Sequence, residues 1–346
     1  MQRVLNSYEE LREILNKAGR ILFVHGKSAE KFSALSECLS SLSAEVIHFT
    51  DFTPNPKLEE ARRACEFFKA QNCVFLLTGG GGTAIDVAKY VKLNNPEAKL
   101  AVIPTTAGSG SEATRFAVLY KDGKKLSITD ENIIPDYVMF DPELLKYLPE
   151  YHRKSSALDA FSHALESFWS VNADETSKNF SREALRNITR MLEDYPASYN
   201  PEKMLMSSYT AGKAINISQT TAGHAMCYRI TGIFGTAHGH SAALCNRVLF
   251  RWLIENTKLN VLNEIAEAMC CNSPIEAADK FNAIFSRLGL NIPEASEQEI
   301  EELASSVNPE RLKNFPAILD TNTIKSLYCE ILNVPAKLDT MTMKKF

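Results

Sequence analysis

The chain has 346 residues, enough for two domains, and its 45% hydrophobic and 23% charged residues are the composition of a globular protein rather than a disordered one. A net charge of −4 without any block of like charge argues against a nucleic-acid or membrane-surface partner. No run approaches the roughly 18 apolar residues that a membrane span requires. The N-terminal MQRVLNSYEELREIL carries acidic residues and no long apolar core, so it is not expected to be a signal peptide. Eight scattered cysteines without a CxxC pair read as buried thiols of a cytoplasmic protein and argue against a cysteine-bound zinc site.

In chain order, Arg20-Ile21-Leu22-Phe23-Val24 predicts a buried strand that ends in Gly26-Lys27-Ser28, and a helical stretch runs from Glu30 to Leu42. Glu45 to Phe49 is a second strand, followed by a turn through Thr53-Pro54-Asn55-Pro56 and a helix from Leu58 to Lys69. Cys73 to Leu77 is a third strand running into four glycines, with a helix from Thr83 to Lys92. Leu100 to Ile103 is a fourth strand, ending at Pro104. Strands and helices alternating at this spacing predict a parallel sheet covered on both faces. Beyond Pro149 helical periodicity takes over, as in Ala157 to Ser170, Lys178 to Glu193, Glu202 to Ser218, Leu259 to Met269 and Ile275 to Leu288. The expected organisation is an α/β domain over residues 1–149 and an all-helical domain over 150–346.

Two loops point to a phosphate-bearing cofactor. Thr78-Gly79-Gly80-Gly81-Gly82-Thr83 follows a predicted strand and opens a helix. Glycines there let backbone N–H groups approach a pyrophosphate, and Thr83 is expected to cap the helix and bind phosphate. The pattern is neither GxGxxG nor a Walker motif. Thr105-Thr106-Ala107-Gly108-Ser109-Gly110 follows the next strand, so the two loops border a crevice at the carboxyl edge of the sheet.

A metal constellation lies in the second half. Asp159 and His163 are four apart on a helical pattern and share one face, although such pairs are also common surface contacts. Of only seven histidines, three (His224, His238 and His240) fall within 17 residues, and His224 and His238 adjoin glycines, which let a backbone bring an imidazole close to a site. A carboxylate with imidazoles suits a borderline dication such as iron(II) or zinc.

These segments resemble the iron-containing (group III) alcohol dehydrogenases. GGGTAIDVAK is similar to that family's GGGSxxDxAK loop, IPTTAGSGSEATRFAV to its IPTTxGTGSExT segment, IPDYVMFDPELL to IPDxxxxDPxLL, LDAFSHALES to the DAxxHAxE ligand helix, and GHAMCYRITGIFGTAHGHSAAL to HxMxH…PHG. The resemblance extends from about Arg20 to the C-terminus. It implies a dehydroquinate synthase-like fold: an α/β nucleotide-binding domain, a helical domain, and an active site between them. It implies metal ligands at Asp159, His163, His224 and His238, the 14-residue interval selecting His238 over His240. It implies cofactor contacts at Asn55, Gly80, Gly81, Gly82, Thr83, Thr105, Thr106, Ser109 and Lys125, and a homodimer acting on a small-molecule aldehyde or alcohol.

Three departures from the family pattern stand out. A frequent ribose-binding aspartate is replaced by Gly26, followed by Lys27, which removes the repulsion of a 2′-phosphate and predicts that NADP(H) is accepted alongside or ahead of NAD(H). A histidine thought to relay protons is replaced by Tyr228, which leaves that catalytic position to Tyr228, His240 or water. The C-terminal region is short for the family. The wording GHAMCYRITGIFGTAHGH with SVNPERLKNFP looks most like phosphonoacetaldehyde reductases, and Arg229 is the expected substrate-binding cation for a phosphonate, a surface or interdomain ion pair being its other reading. The implied activity is reduction of a small aldehyde at an iron or zinc centre with NADPH or NADH. Rival readings are a glycerol dehydrogenase-like polyol oxidoreductase, a dehydroquinate synthase-like cyclase, and a degenerate binding protein.

Overall fold

The computed structural model describes residues 2–26, 29 and 32–334. Six strands form one sheet: β1 (Arg3–Leu5), β2 (Arg20–His25), β3 (Glu45–Phe49), β4 (Phe75–Gly80), β5 (Lys99–Pro104) and β8 (Tyr137–Met139). Their order is β1-β8-β5-β4-β2-β3 and every pairing is parallel. Helices α1 (Tyr8–Leu15), α2 (Ser33–Ser40), α3 (Leu58–Ala70) and α4 (Gly82–Leu93) cover it. The two-residue period of a strand divides β2 between two cores. Ile21 and Phe23 pack with Leu11, Leu15 and Leu35 on one face, while Leu22 and Val24 pack with Phe68, Ile85 and Val91 on the other. Burial on both faces explains why β2, β4 and β5 read as continuous apolar runs.

The strand order reverses between β2 and β4, so the crevice opens where these two strands end, at Gly26 and at the glycine run. β4 continues into that run, because Gly79 and Gly80 pair with Ile103 and Pro104 of β5.

A hairpin that sequence reading overlooked adds a second, two-stranded sheet: β6 (Phe116–Lys121) and β7 (Lys124–Thr129), antiparallel. Its turn residues Asp122 and Gly123 both have positive φ, 50° and 72°, the backbone that a tight hairpin needs and that an Asp-Gly pair favours. Leu119 of β6 packs on Leu58 and Ala61 of α3, which aims β7 and its Lys125 at the crevice.

From residue 150 onward the described elements are helices: α5 (Glu150–Trp169), α6 (Glu175–Glu193), α7 (Pro201–Ser218), α8 (Ala222–Phe234), α9 (His238–Asn256), α10 (Val261–Ala268), α11 (Pro274–Leu288), α12 (Glu297–Ser306), α13 (Pro309–Leu312) and α14 (Thr321–Ile331). α5 is the central helix, buried continuously from Ala157 to Trp169. It begins seven residues before the expected Ala157, because its first turns are polar and carry no apolar periodicity. Among the described residues no helix is long and apolar enough to cross a membrane.

Candidate metal centre and cofactor cleft

One turn of α5 separates Asp159 from His163, so the helix presents a carboxylate and an imidazole together. His224 lies in the first turn of α8 and His238 opens α9. Asp159 Oδ1 is the hub: His224 Nε2 lies 3.5 Å from it, His238 Nε2 3.8 Å and His163 Nε2 4.0 Å. The donor atoms of Asp159, His163 and His224 all fall within 4.8 Å of one another. His238 stands on the open side, partly exposed where the other three are buried.

Close helix approach makes this possible. A Cβ on Gly223 would sit 2.0 Å from Asn246 Oδ1, and one on Gly239 2.1 Å from the Ser155 carbonyl and 2.5 Å from Asp159 Cβ. Any side chain at either position would push α8 or α9 away from its neighbour and carry an imidazole out of reach.

The ring nitrogens on the far side are also engaged. His224 Nδ1 meets Glu166 Oε1 at 2.5 Å, and His163 Nδ1 meets the Gly108 carbonyl at 3.1 Å. In the neutral form that a metal would bind, donation from Nδ1 leaves both Nε2 lone pairs facing Asp159. Glu166 is itself held by Thr221 N–H at 2.5 Å, Thr221 Oγ1 at 2.8 Å and Asn246 Nδ2 at 2.7 Å.

Burial works to raise the Asp159 carboxyl, but the surrounding imidazoles of His163, His238 and His224 outweigh it and hold the group well below the usual range. Burial lowers His163 to about 4 and His238 to about 3, against the pull of Asp159. His224 goes the other way: burial opposes its charge, but the Glu166 and Asp159 carboxylates raise it to about 9.

Asp159 Oδ1 and His224 Nε2 are buried and have no hydrogen-bond partner among the described residues. Leaving such groups unmatched costs about 1–3 kcal/mol each. A tetrahedral dication with bonds of about 2.0–2.1 Å needs donors about 3.4 Å apart, close to the separations present here. One carboxylate and three imidazoles fit iron(II) or zinc.

Across from these ligands a cleft with a cavity volume of about 550 Å³ is walled by Asn55, Gly82, Thr83, Asp86, Ser109 and Lys125. α4 starts here without a side-chain cap, its N-cap being Gly81. Thr83 therefore sits inside the first turn and is not the cap expected from sequence, since Gly79 and Gly80 stay in the β-ladder and the chain enters the helix directly after Gly81. A Cβ on Gly82 would lie 3.1 Å from Ser109 Cβ, so the two loops form a narrow cradle with uncapped helix N–H groups at its base. That fits a pyrophosphate. Behind it, Thr105 N–H donates to the Gly80 carbonyl at 3.0 Å, and Thr106 presses on Gly81. Gly26 lies one residue past β2, beside this cradle; Lys27 lies outside the described residues.

Residues 4–142 match the family described as "Iron-containing alcohol dehydrogenase", and residues 154–331 match "Fe-containing alcohol dehydrogenase family, C-terminal". The chain belongs to the iron-containing alcohol dehydrogenase family. It is similar to long-chain-alcohol dehydrogenase 1 of Geobacillus thermodenitrificans, 30% identical over 254 residues that cover 66% of this chain and 64% of that protein. It is also similar to 1,3-propanediol dehydrogenase of Klebsiella pneumoniae, 29% identical over 298 residues that cover 77% and 76%. The first of these matches spans less than two thirds of the relative's own length. In fold the chain resembles sulfoacetaldehyde reductase from Bifidobacterium kashiwanohense in complex with NAD+, with a TM-score of 0.88, 24% identity and coverage of 96% of this chain and 97% of that one. It likewise resembles an iron-containing alcohol dehydrogenase from Thermotoga maritima, at 0.82, 24%, 96% and 98%.

Two residues do not stand where the sequence suggested. His240 is two positions beyond His238 on α9, about 200° around the helix. It points away from the cleft, its ring nitrogens meeting Tyr151 Oη at 3.2 Å and the Asn291 carbonyl at 2.9 Å, so it cannot relay a proton there. Arg229 follows Tyr228 on α8, about 100° off the cleft face. It is exposed and pairs with Glu302 at 2.9 Å, so it does not reach a substrate in the cleft, and the ion-pair reading is the one that fits. Tyr228 itself lines the cleft, its ring parallel to that of His238 with centroids 5.5 Å apart. Burial raises its hydroxyl well above the ordinary phenol range, which suits a wall better than an acid. Lys125 stands over Tyr228, its Nζ 3.4 Å from the ring centre; burial, aided by the charge of Arg311, lowers it to about 7.

Sequence reading missed three supports of the site. Glu166 lies three residues past His163 on the same helix face, and an acid in so apolar a run was the available signal. Lys89, fully buried, donates to Ser111 Oγ at 3.1 Å and to the Thr114 and Phe116 carbonyls at 2.7 and 2.8 Å, while Asp86 accepts from Ser111 Oγ at 2.7 Å and Val118 N–H at 3.0 Å. Together they pin the second cofactor loop and the hairpin to α4. Arg311 reaches the cleft from α13; its segment SVNPERLKNFP carried part of the resemblance, but nothing local marked this arginine as a site residue.

Proposed function

We propose that this protein interconverts a small aldehyde and its alcohol in a metal-dependent, nicotinamide-linked reaction, aldehyde + NAD(P)H + H+ giving alcohol + NAD(P)+. The observation that carries this reading is the buried, unpartnered pair Asp159 Oδ1 and His224 Nε2, which with His163 and His238 faces one point across from the glycine cradle. When bound, the dication polarises the substrate oxygen and the dihydronicotinamide supplies the hydride. Asp159, His163, His224 and His238 are the residues that would hold the metal. Glu166 and the Gly108 carbonyl orient His224 and His163, Gly82, Thr83 and Ser109 hold the cofactor phosphates, and Asn55 and Lys125 flank the cofactor's path. Tyr228 forms one wall of the cleft beside the reacting carbon. With His240 turned away, the proton for the alcohol oxygen comes from solvent in the open cleft.

Within this reading the substrate is phosphonoacetaldehyde, reduced to 2-hydroxyethylphosphonate, and the metal is iron(II) or zinc. A neutral Gly26 in place of a carboxylate removes the charge that would repel a 2′-phosphate, so NADPH is used at least as well as NADH. The test is a screen of NADPH and NADH oxidation by the iron- or zinc-loaded protein across phosphonoacetaldehyde, sulfoacetaldehyde and neutral aldehydes. Turnover that requires metal is expected. Stoichiometric metal with no turnover of any aldehyde sinks the reading, and a preference for NADH of about tenfold or more defeats the cofactor assignment.

A further inference from the structure

The cleft carries a second cluster of charge that hydride transfer does not use. Arg311, on the short helix α13, and Lys125, on β7, meet over Tyr228. Lys125 Nζ lies 3.4 Å from the ring centre and the Arg311 guanidinium carbon 5.2 Å, and Arg311 Nη1 donates to Tyr228 Oη at 3.3 Å. Glu310 also borders the cleft but pairs with Lys313 at 2.6 Å. Asp86 is held by Ser111 and the Val118 N–H, and Asp159 belongs to the metal centre. Among the described residues neither Arg311 nor Lys125 has a carboxylate within ion-pair distance. Two partly buried cations held together without an anion are unfavourable unless a ligand brings one, and a planar guanidinium fork matches a tetrahedral oxyanion.

The position is as informative as the charge. Tyr228 lies parallel to His238 and also meets Arg311, so one phenol ring adjoins both the metal centre and the guanidinium. We propose that Arg311 anchors the terminal oxyanion of the substrate, a phosphonate or sulfonate, while the aldehyde end of a two- or three-carbon chain reaches the metal centre across Tyr228. This rests on the dehydrogenase reading and deepens it by naming the residue that selects an anionic aldehyde. Lys125 adds charge from the cofactor side. Long-chain alcohols and neutral diols leave the guanidinium without a partner and are poor substrates.

The test compares the metal-loaded full chain with Arg311→Met and Arg311→Lys. Substrates are phosphonoacetaldehyde, sulfoacetaldehyde and propanal, and methylphosphonate is titrated calorimetrically with NADPH present as a probe that cannot react. In Arg311→Met, kcat/KM for the anionic aldehydes is expected to fall about 50-fold or more beyond any loss with propanal, chiefly through KM, with partial recovery in Arg311→Lys. Methylphosphonate binding is expected to weaken by about tenfold or more. A larger loss for the phosphonate identifies a dianion as the preferred group, and a larger loss for the sulfonate a monoanion; both support the anchor. Equal losses on all three aldehydes, or unchanged methylphosphonate binding, overturn it. Because methylphosphonate binding needs no turnover, the two readings fail separately. A chain that binds the probe through Arg311 yet reduces no aldehyde upholds the anchor and defeats the dehydrogenase. One that reduces propanal but binds no probe does the reverse.

Discussion

Glu166 shows how much of this centre is decided one residue behind the ligands. It is fully buried, accepts from Thr221, His224 and Asn246, and stays ionised because the His224 charge and these hydrogen bonds outweigh a burial that by itself would raise it; the balance lowers it to about 2. Its contact with Nδ1 selects the His224 tautomer whose Nε2 faces the metal position. Glu166→Gln keeps the shape but removes the charge and the fixed donor–acceptor sense. Affinity for zinc, measured by competition with a chromogenic chelator, is expected to fall about 10–100-fold. Unchanged affinity limits Glu166 to a packing role.

At the scale of elements, Asp136 fastens three of them at the edge of the sheet. Just before β8, it accepts from Lys92 of α4, from Lys99 at 2.9 Å and from the Leu100 N–H of β5 at 3.0 Å. Burial alone would raise its carboxyl, but Lys92 and the other donors more than offset this and hold it below its ordinary 3.8. A carboxyl lowered by folding adds stability that is present above its unfolded value and is lost as pH falls through the folded one. Asp136→Asn is therefore expected to destabilise by about 1–3 kcal/mol near neutral pH, because Lys92 is left buried without its counter-charge. Urea unfolding should show this difference shrinking as pH drops below about 4. A difference that is independent of pH would falsify the electrostatic account.

On the scale of the whole molecule, the metal ligands come from three helices, α5, α8 and α9, and their far wall is the α/β sheet's crevice. A dication bound only by the folded chain stabilises it by about 2.7 kcal/mol when present at about a hundred times its Kd. Chelation should lower Tm by several degrees, and iron(II) or zinc should restore it. Asp159→Ala, lacking the hub oxygen, should not respond to either treatment. A wild-type Tm indifferent to chelator would mean that these donors hold no ion.

Much of this was legible from local signals. The cofactor edge could be read because a strand, a glycine run and a helix follow one another directly, and backbone chemistry within about ten residues decides their shape. Asp159 and His163 could be paired because a helix repeats every 3.6 residues. The hairpin was passed over although its Asp122-Gly123 turn is a recognised signal, since β7 is mixed in polarity and partly exposed. Arg229 was expected at the substrate because it follows Tyr228 in sequence, but neighbours in sequence point about 100° apart on a helix, and Arg229 pairs with Glu302 instead.

The sequence by itself determined the family, the alternating and then helical organisation, and the kinds of residue available to hold a dication and a dinucleotide. Tertiary structure alone decided which side chains meet: that Arg311, 83 positions from Tyr228, lies against it, that His240 turns away, and that Glu166 stands behind His224. The reason is that helix and strand periods are set by bonds between near neighbours, whereas the packing angle between α5, α8 and α9 depends on contacts such as Gly223 on Asn246 and Gly239 on Ser155, which no stretch of chain contains.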